Sequence, residues 1–240
     1  MRKGSSDSRE VIQVPPSGSK KVTVVQRVTS EPTRRPWTPE ALIAEADRGR
    51  LPVYVTIEEA HTTFDAVPPE KPRDRLFVKT LWVTGARVSE AIEVRPRNFD
   101  FAARTLRIQR LKKGRPLEVA IPGLPEDYCR ELATYLKLAG LRPSERVFDF
   151  DRFRGLRLVK GLMAKAGIEP SYRIGPKGGR VDVKRHPHAW RHGFAVNLIM
   201  QGKPLEVVKE LLGHSSILTS YVYTRAIAAN TRPFMETTTF

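Results

Sequence analysis

The chain has 240 residues, 40% hydrophobic and 28% charged, which suits one large domain or one domain with a small attachment. Forty-two Lys and Arg against 26 Asp and Glu give a net charge of +16 and a pI near 10.3, so the partner is a polyanion, with nucleic acid favoured over an acidic membrane surface. Cys129 is the only cysteine, which excludes an intrachain disulfide and fits a reducing cytoplasm; no apolar run approaches the ~20 residues of a membrane span, and no apolar core follows the basic N-terminus as in a secretory signal.

Residues 1–36 are rich in Ser, Pro, Lys and Arg, as in Pro15-Pro16-Ser17-Gly18-Ser19-Lys20-Lys21, with a hint of a strand only at Val22 to Val28. A flexible basic tail is expected there, either a tether or an arm that tracks phosphates. Thr38-Pro39 can open a helix through Ala41–Asp47, because proline suits the first helical position, so residues 37–50 read as a linker helix. Thr56-Ile57-Glu58-Glu59 is a capping box that predicts a helix to about Ala66. Residues 73–84 follow with Leu76, Phe77, Thr80, Leu81 and Val83 at helical spacing, and a short helix begins near Val88.

The period then changes. Asn98–Phe101, Thr105–Gln109 and Leu117–Ile121 predict a small three-stranded antiparallel sheet, with Lys112-Lys113-Gly114-Arg115 as a hairpin turn. Helices are expected at Pro125–Ala139, Arg152–Ala166, His188–Gln201, Pro204–Leu212 and Ile217–Asn230, and Gly175-Pro176-Lys177-Gly178-Gly179-Arg180 reads as a basic loop. The expected class is α+β, mostly helical with one small sheet.

Three blocks carry chemistry: Thr84-Gly85-Ala86-Arg87-Val88-Ser89-Glu90, His188-Ala189-Trp190-Arg191-His192, and Leu212-Gly213-His214 with Tyr223 nine positions after the histidine. Arginines, histidines and a late tyrosine suit attack on a phosphodiester without a metal. A tyrosine hydroxyl, of pKa ~10, needs help to lose its proton at neutral pH. The growing charge on the phosphate calls for rigid, permanently charged donors, which the arginine fork supplies better than lysine. The departing alkoxide needs a proton from a Lys or His.

In order and spacing these blocks resemble the tyrosine recombinases, the phage integrase family, over residues 51–226, with 227–240 as a C-terminal tail. The resemblance implies that Tyr223 attacks the scissile phosphate and holds DNA as a 3′-phosphotyrosine. It makes Arg87 and Arg191 the clamp on the non-bridging oxygens, His188 the acceptor of the tyrosine proton and His214 a hydrogen-bond donor to the phosphate. Lys112 would protonate the leaving oxygen, because Lys112-Lys113-Gly114-Arg115-Pro116 resembles the family's Lys-Thr-Gly-Arg-Pro form; Lys113 is the alternative. It further implies double-stranded DNA as substrate, a homotetramer on that DNA, and no cofactor or metal; the tail would dock Phe234, Met235 and Phe240 on a neighbouring copy, with a frayed terminus as the equal alternative. A separate DNA-clamping domain common in the family is expected to be missing or reduced to residues 37–50, with contacts from further copies or an accessory DNA-binding protein in its place. Integration or excision of a mobile element, or resolution of replicon dimers, would be the biological task. A relaxing topoisomerase of the same chemistry and a non-catalytic DNA-binding relative are the rival functions.

Other residues have plainer readings. His192 shares a helix face with His188, but the pair lacks the Glu and third ligand of a zinc site, so it reads as a packing or supporting residue. Glu90 reads as an orienting partner for a neighbouring arginine, Trp190 as core, and His61 as incidental. Tyr221 competes with Tyr223 as nucleophile and loses on spacing. Lys113, Arg115, Lys177, Arg180, Lys184 and Arg185 are candidates for contacts to the DNA backbone, with a solvated charged surface as the alternative.

Overall fold

The computed structural model describes residues 52–112, 115–174, 178–214 and 223–224 of the chain, with only the backbone at 111, 112 and 115. The tail, linker helix and C-terminal tail expected from the sequence lie outside those residues, as do Lys113, Lys177 and most of the last helix.

Helix α1, Ile57–Asp65, starts on the capping box as expected: Thr56 Oγ1 accepts from the Glu59 N–H at 3.2 Å, and the Glu59 carboxylate accepts from the Thr56 N–H at 2.8 Å. Helix α2, Pro72–Thr84, is mostly buried and stops at Gly85, whose φ of +60° is the left-handed conformation that closes a helix. Helix α3, Val88–Ala91, is a single turn. A 3₁₀ turn at Pro96–Asn98 leads into an antiparallel sheet of β1, Phe99–Asp100, β2, Thr105–Lys112, and β3, Arg115–Ile121, in that order. The β2–β3 register runs from Leu106 opposite Ile121 to Lys112 opposite Arg115, so the hairpin is longer than the sequence suggests.

Helices α4, Glu126–Ala139, and α5, Arg152–Lys165, follow close to their expected bounds. The basic loop after them is not plain loop. It is flanked by a second sheet, β4, Tyr172–Ile174, paired antiparallel with β5, Arg180–Asp182. Helices α6, Pro187–Met200, and α7, Leu205–Leu212, complete the described fold.

The core wraps α2. Phe77 meets Phe148 and Phe150 edge-on at 5.3 and 4.7 Å between ring centroids, while Trp190 of α6 lies against Trp82 and Phe64 at 6.0 and 5.8 Å. Trp190 is fully buried, in keeping with its expected place in the core, and Cys129 is buried too. The approach of α6 to residues 52–55 is so close that a Cβ on Gly193 would sit 2.3 Å from the Val55 carbonyl oxygen. Helix α6 thus carries the three residues before Gly193, Trp190 inward and Arg191 and His192 toward the site, from a fixed seat. No helix among the described residues is long and apolar enough to cross a membrane.

Candidate active site

Two helix ends frame the site. Helices α2 and α7 each finish on a left-handed glycine, Gly85 and Gly213, and each leaves terminal carbonyls that lack partners within their own helix. Arg191 spans the gap between them: one terminal nitrogen donates to the Gly85 carbonyl at 2.8 Å and the other to the Leu212 carbonyl. The loops that carry Arg87 and His214 are therefore pinned by a third site residue. The partial negative charge of both helix C-termini favours the cation there.

Arg87 follows Gly85 and caps α3. Its guanidinium donates to Glu90 Oε1 at 2.6 Å, and its backbone N–H donates to Oε2 at 2.9 Å. Its side chain is 39% exposed, whereas that of Arg191 is 4% exposed. Glu90 is the expected orienting carboxylate, and it is shared. Burial works to raise its pKa, but Arg110, the Arg87 backbone and Arg191 outweigh that and hold it below the ordinary value.

Tyr223 is buried, and its hydroxyl lies 3.0 Å from His192 Nδ1. The His214 ring is near-parallel to the tyrosine ring, with centroids 6.4 Å apart. Burial pushes the phenol up to about 12, against the pull of Arg191 and Arg87. The imidazoles move the other way, since burial and the nearby cations disfavour their charged form. His192 is lowered to about 4 and His214 to about 3. Arg191 is lowered to about 9, chiefly by burial and then by Arg110 and Arg87, and stays charged at neutral pH.

His188 is placed differently from its neighbours. It is exposed, stacks on His186 with centroids 5.2 Å apart, and lines a small cleft of about 60 Å³ with Arg87, Ser89, Arg152 and Arg191. The same ring borders a larger cavity of about 350 Å³ with His186, His192, Arg173 and Asp182. The hydroxyl of Tyr223 thus meets His192, which the sequence assigned to packing or support, and not His188. The i+4 spacing placed both imidazoles on one face, but only the path of the chain to Tyr223 decides which one the phenol reaches. Lys112 stands at the end of β2, paired across the hairpin with Arg115.

Arg87, Arg191, His192, His214 and Tyr223 therefore converge, with His188 at the rim. Of the residues expected on the DNA backbone, Arg180 stacks over the Tyr172 ring at 4.3 Å. Lys184 donates to the Tyr54 carbonyl and to Glu59, both at 2.6 Å, and Arg185 to Asp182 at 2.7 Å, so these two are engaged inside the fold. Arg110 escaped the sequence reading altogether. Among the described residues no group of three or more His, Cys, Asp or Glu is arranged to hold a metal ion.

Residues 54–229 match the family model described as "Phage integrase family". Tyrosine recombinase XerA of Pyrococcus furiosus is 30% identical over 205 residues, covering 82% of this chain and 68% of that protein. The XerA proteins of two Thermococcus species are matched over 62% of their own length. Among solved structures, the XerA recombinase crystal structure aligns with a TM-score of 0.61 at 22% identity, over 79% of this chain and 67% of that one. The XerH site-specific recombinase bound to its difH substrate aligns with a TM-score of 0.54 at 23% identity, over 75% and 52% respectively. These two likenesses establish a shared fold.

Proposed function

Because the chain belongs to the phage integrase family, we propose that it is a tyrosine-type site-specific DNA recombinase, cutting and rejoining double-stranded DNA through a covalent phosphotyrosine. The observation that carries this reading is the 3.0 Å contact between the Tyr223 hydroxyl and His192 Nδ1, beside the buried Arg191. A nucleophile, a proton acceptor and a phosphate clamp stand together there.

The chemistry follows from the charges. A phenol held near pKa 12 is a poor nucleophile until a phosphate arrives between Arg87 and Arg191 and a base takes its proton. His192, neutral at physiological pH, can accept that proton in the tautomer that leaves Nδ1 bare, once the negative charge of the arriving phosphate offsets the burial and cations that hold its pKa at about 4. The Tyr223 oxygen then bonds to phosphorus as the bond from phosphorus to the 5′ oxygen breaks. Arg87 and Arg191 neutralise the two non-bridging oxygens as five-coordination develops, with His214 adding a hydrogen bond. His188, at the rim of the phosphate cleft, is the second candidate base. Lys112, or Lys113 beside it, gives the leaving 5′ oxygen its proton. Because the phosphotyrosine conserves bond energy, an incoming 5′ hydroxyl reverses the step and seals the strand.

The XerH neighbour is bound to a DNA substrate, which supports double-stranded DNA as the partner of this chain. Assembly of four copies on two duplexes and help from an accessory DNA-binding protein complete the reading. Covalent capture on supercoiled plasmid in EDTA tests it. Wild type should form a protein–DNA adduct and relaxed topoisomers, and Tyr223→Phe should bind DNA and form neither. An adduct of equal yield from Tyr223→Phe would remove the assignment. Binding without any adduct, on plasmid and on DNA from the native locus alike, would favour a non-catalytic relative, whereas relaxation without exchange between sites would favour a topoisomerase.

A further inference from the structure

Arg110 sits on β2 with its side chain 1% exposed, directly beneath the phosphate clamp. One terminal nitrogen donates to Glu90 Oε2 at 2.6 Å. The other donates to the Thr84 and Leu211 carbonyls, both at 2.8 Å. These carbonyls immediately precede those gripped by Arg191, at Gly85 and Leu212. Two arginines thus clasp successive carbonyls of the same two helix ends, one below the other. The stem of Arg110 also fits against Gly213, where a Cβ would lie 3.2 Å from its Cγ, next to His214.

This arrangement is expensive as mere scaffolding. Arg110 Nε is buried without a hydrogen-bond partner among the described residues. A buried ion pair is seldom more stable than well-packed apolar residues of similar volume. Its charge has a clearer use. Glu90 faces three cations: Arg87 takes Oε1, Arg110 takes Oε2, and Arg191 stands 3.9 Å from Oε2. With Arg110 gone, Oε2 would lose its short ion pair while Arg191 stood 3.9 Å away. A carboxylate drawn onto Arg191 would cancel the charge meant for the phosphate and pull the fork from its carbonyl seats.

We propose that Arg110 is a positioning residue of the phosphate clamp, holding the Glu90 carboxylate to itself so that Arg191 keeps its charge and its aim for DNA. Arg110 touches no reacting atom; it acts through Glu90 and the two helix ends. The proposal rests on the recombinase reading above, and wild-type adduct formation separates the two failures.

The test measures the rate of adduct formation on supercoiled plasmid at saturating protein, together with DNA affinity at fixed salt. Arg110→Met should slow the adduct about 100-fold, comparable to the loss of one transition-state donor, with affinity changed less than about threefold. Arg110→Lys, which keeps a cation for Glu90, should stay within about tenfold of wild type. Adding Glu90→Gln to Arg110→Met should recover at least about tenfold, because a neutral amide no longer competes for Arg191. An unslowed Arg110→Met, a double variant no faster than the single one, or affinity falling in step with rate would each overturn the proposal. If Arg110→Met does not fold, Glu90→Gln alone is compared with the double variant, which removes both buried charges. Rates within about threefold support the proposal, and a further hundredfold drop overturns it. Absence of any wild-type adduct defeats the recombinase reading and takes this proposal with it.

Discussion

Three partly buried imidazoles, at His186, His192 and His214, are shifted toward neutrality, and burial is the largest cause at each. An unfolded chain takes up protons at these residues below about pH 6.5, whereas the folded chain resists until about 4 at His192 and about 3 at His214. Between pH 7 and 5 the unfolded state therefore binds more protons, and stability falls as pH falls. The melting temperature is expected to drop by roughly 5 °C over that window, and His214→Gln should flatten the dependence. A melting temperature unchanged from pH 7 to 5 would contradict the burial of these rings. At this scale the sequence displayed Arg87, Arg191, His214 and Tyr223 through ordered motifs, since spacing alone sets them apart. Arg110 had a fainter signal. Leu106, Ile108 and Arg110 alternate along β2 and all three point inward, so strand periodicity places the arginine on the core face. A charged residue so placed is read as surface unless its partner, Glu90 twenty positions earlier, is already in view.

Elements were legible in proportion to their length and punctuation. The helix after Thr56 and the stop at Gly85 rest on local chemistry, a reciprocal cap and a left-handed glycine, and both stand where the sequence puts them. The β4–β5 pair was missed because each strand has three residues, most of them exposed, so neither carries an alternating pattern. Its Tyr172, Ile174 and Val181 give the only hint, as apolar residues flanking a glycine-rich segment. Helix α6 shows how an element limits change. A Cβ at Gly193 would meet the Val55 carbonyl oxygen at 2.3 Å and Trp82 at 2.8 Å, and neither can move cheaply. Gly193→Ala should destabilise the protein by about 2 kcal/mol in urea unfolding, despite alanine's better helix propensity. A variant as stable as wild type would mean that residues 52–55 do not hold α6 in place.

For the whole molecule, positive charge extends well beyond the blocks that carry the chemistry. Residues 1–36 contain eight Lys and Arg against three Asp and Glu, far from the blocks that carry the site. If that segment follows DNA, its removal should flatten the plot of log affinity against log salt, by about 0.9 for each phosphate it had neutralised. An unchanged slope would leave the segment a tether. Lys184 and Arg185 should add little to that slope, because each is engaged by a carboxylate of the fold.

The clasp on the ends of α2 and α7 has a consequence for safety. Arg87 stands far ahead of Arg191 and Tyr223 along the chain, and their meeting depends on two helices ending within reach of one arginine. A nascent or damaged chain keeps its positive charge, and with it an attraction for polyanions, yet it holds no assembled site. On the recombinase reading, the cutting tool exists only when both helix ends are seated on Arg191, so an incompletely folded copy is expected not to nick DNA.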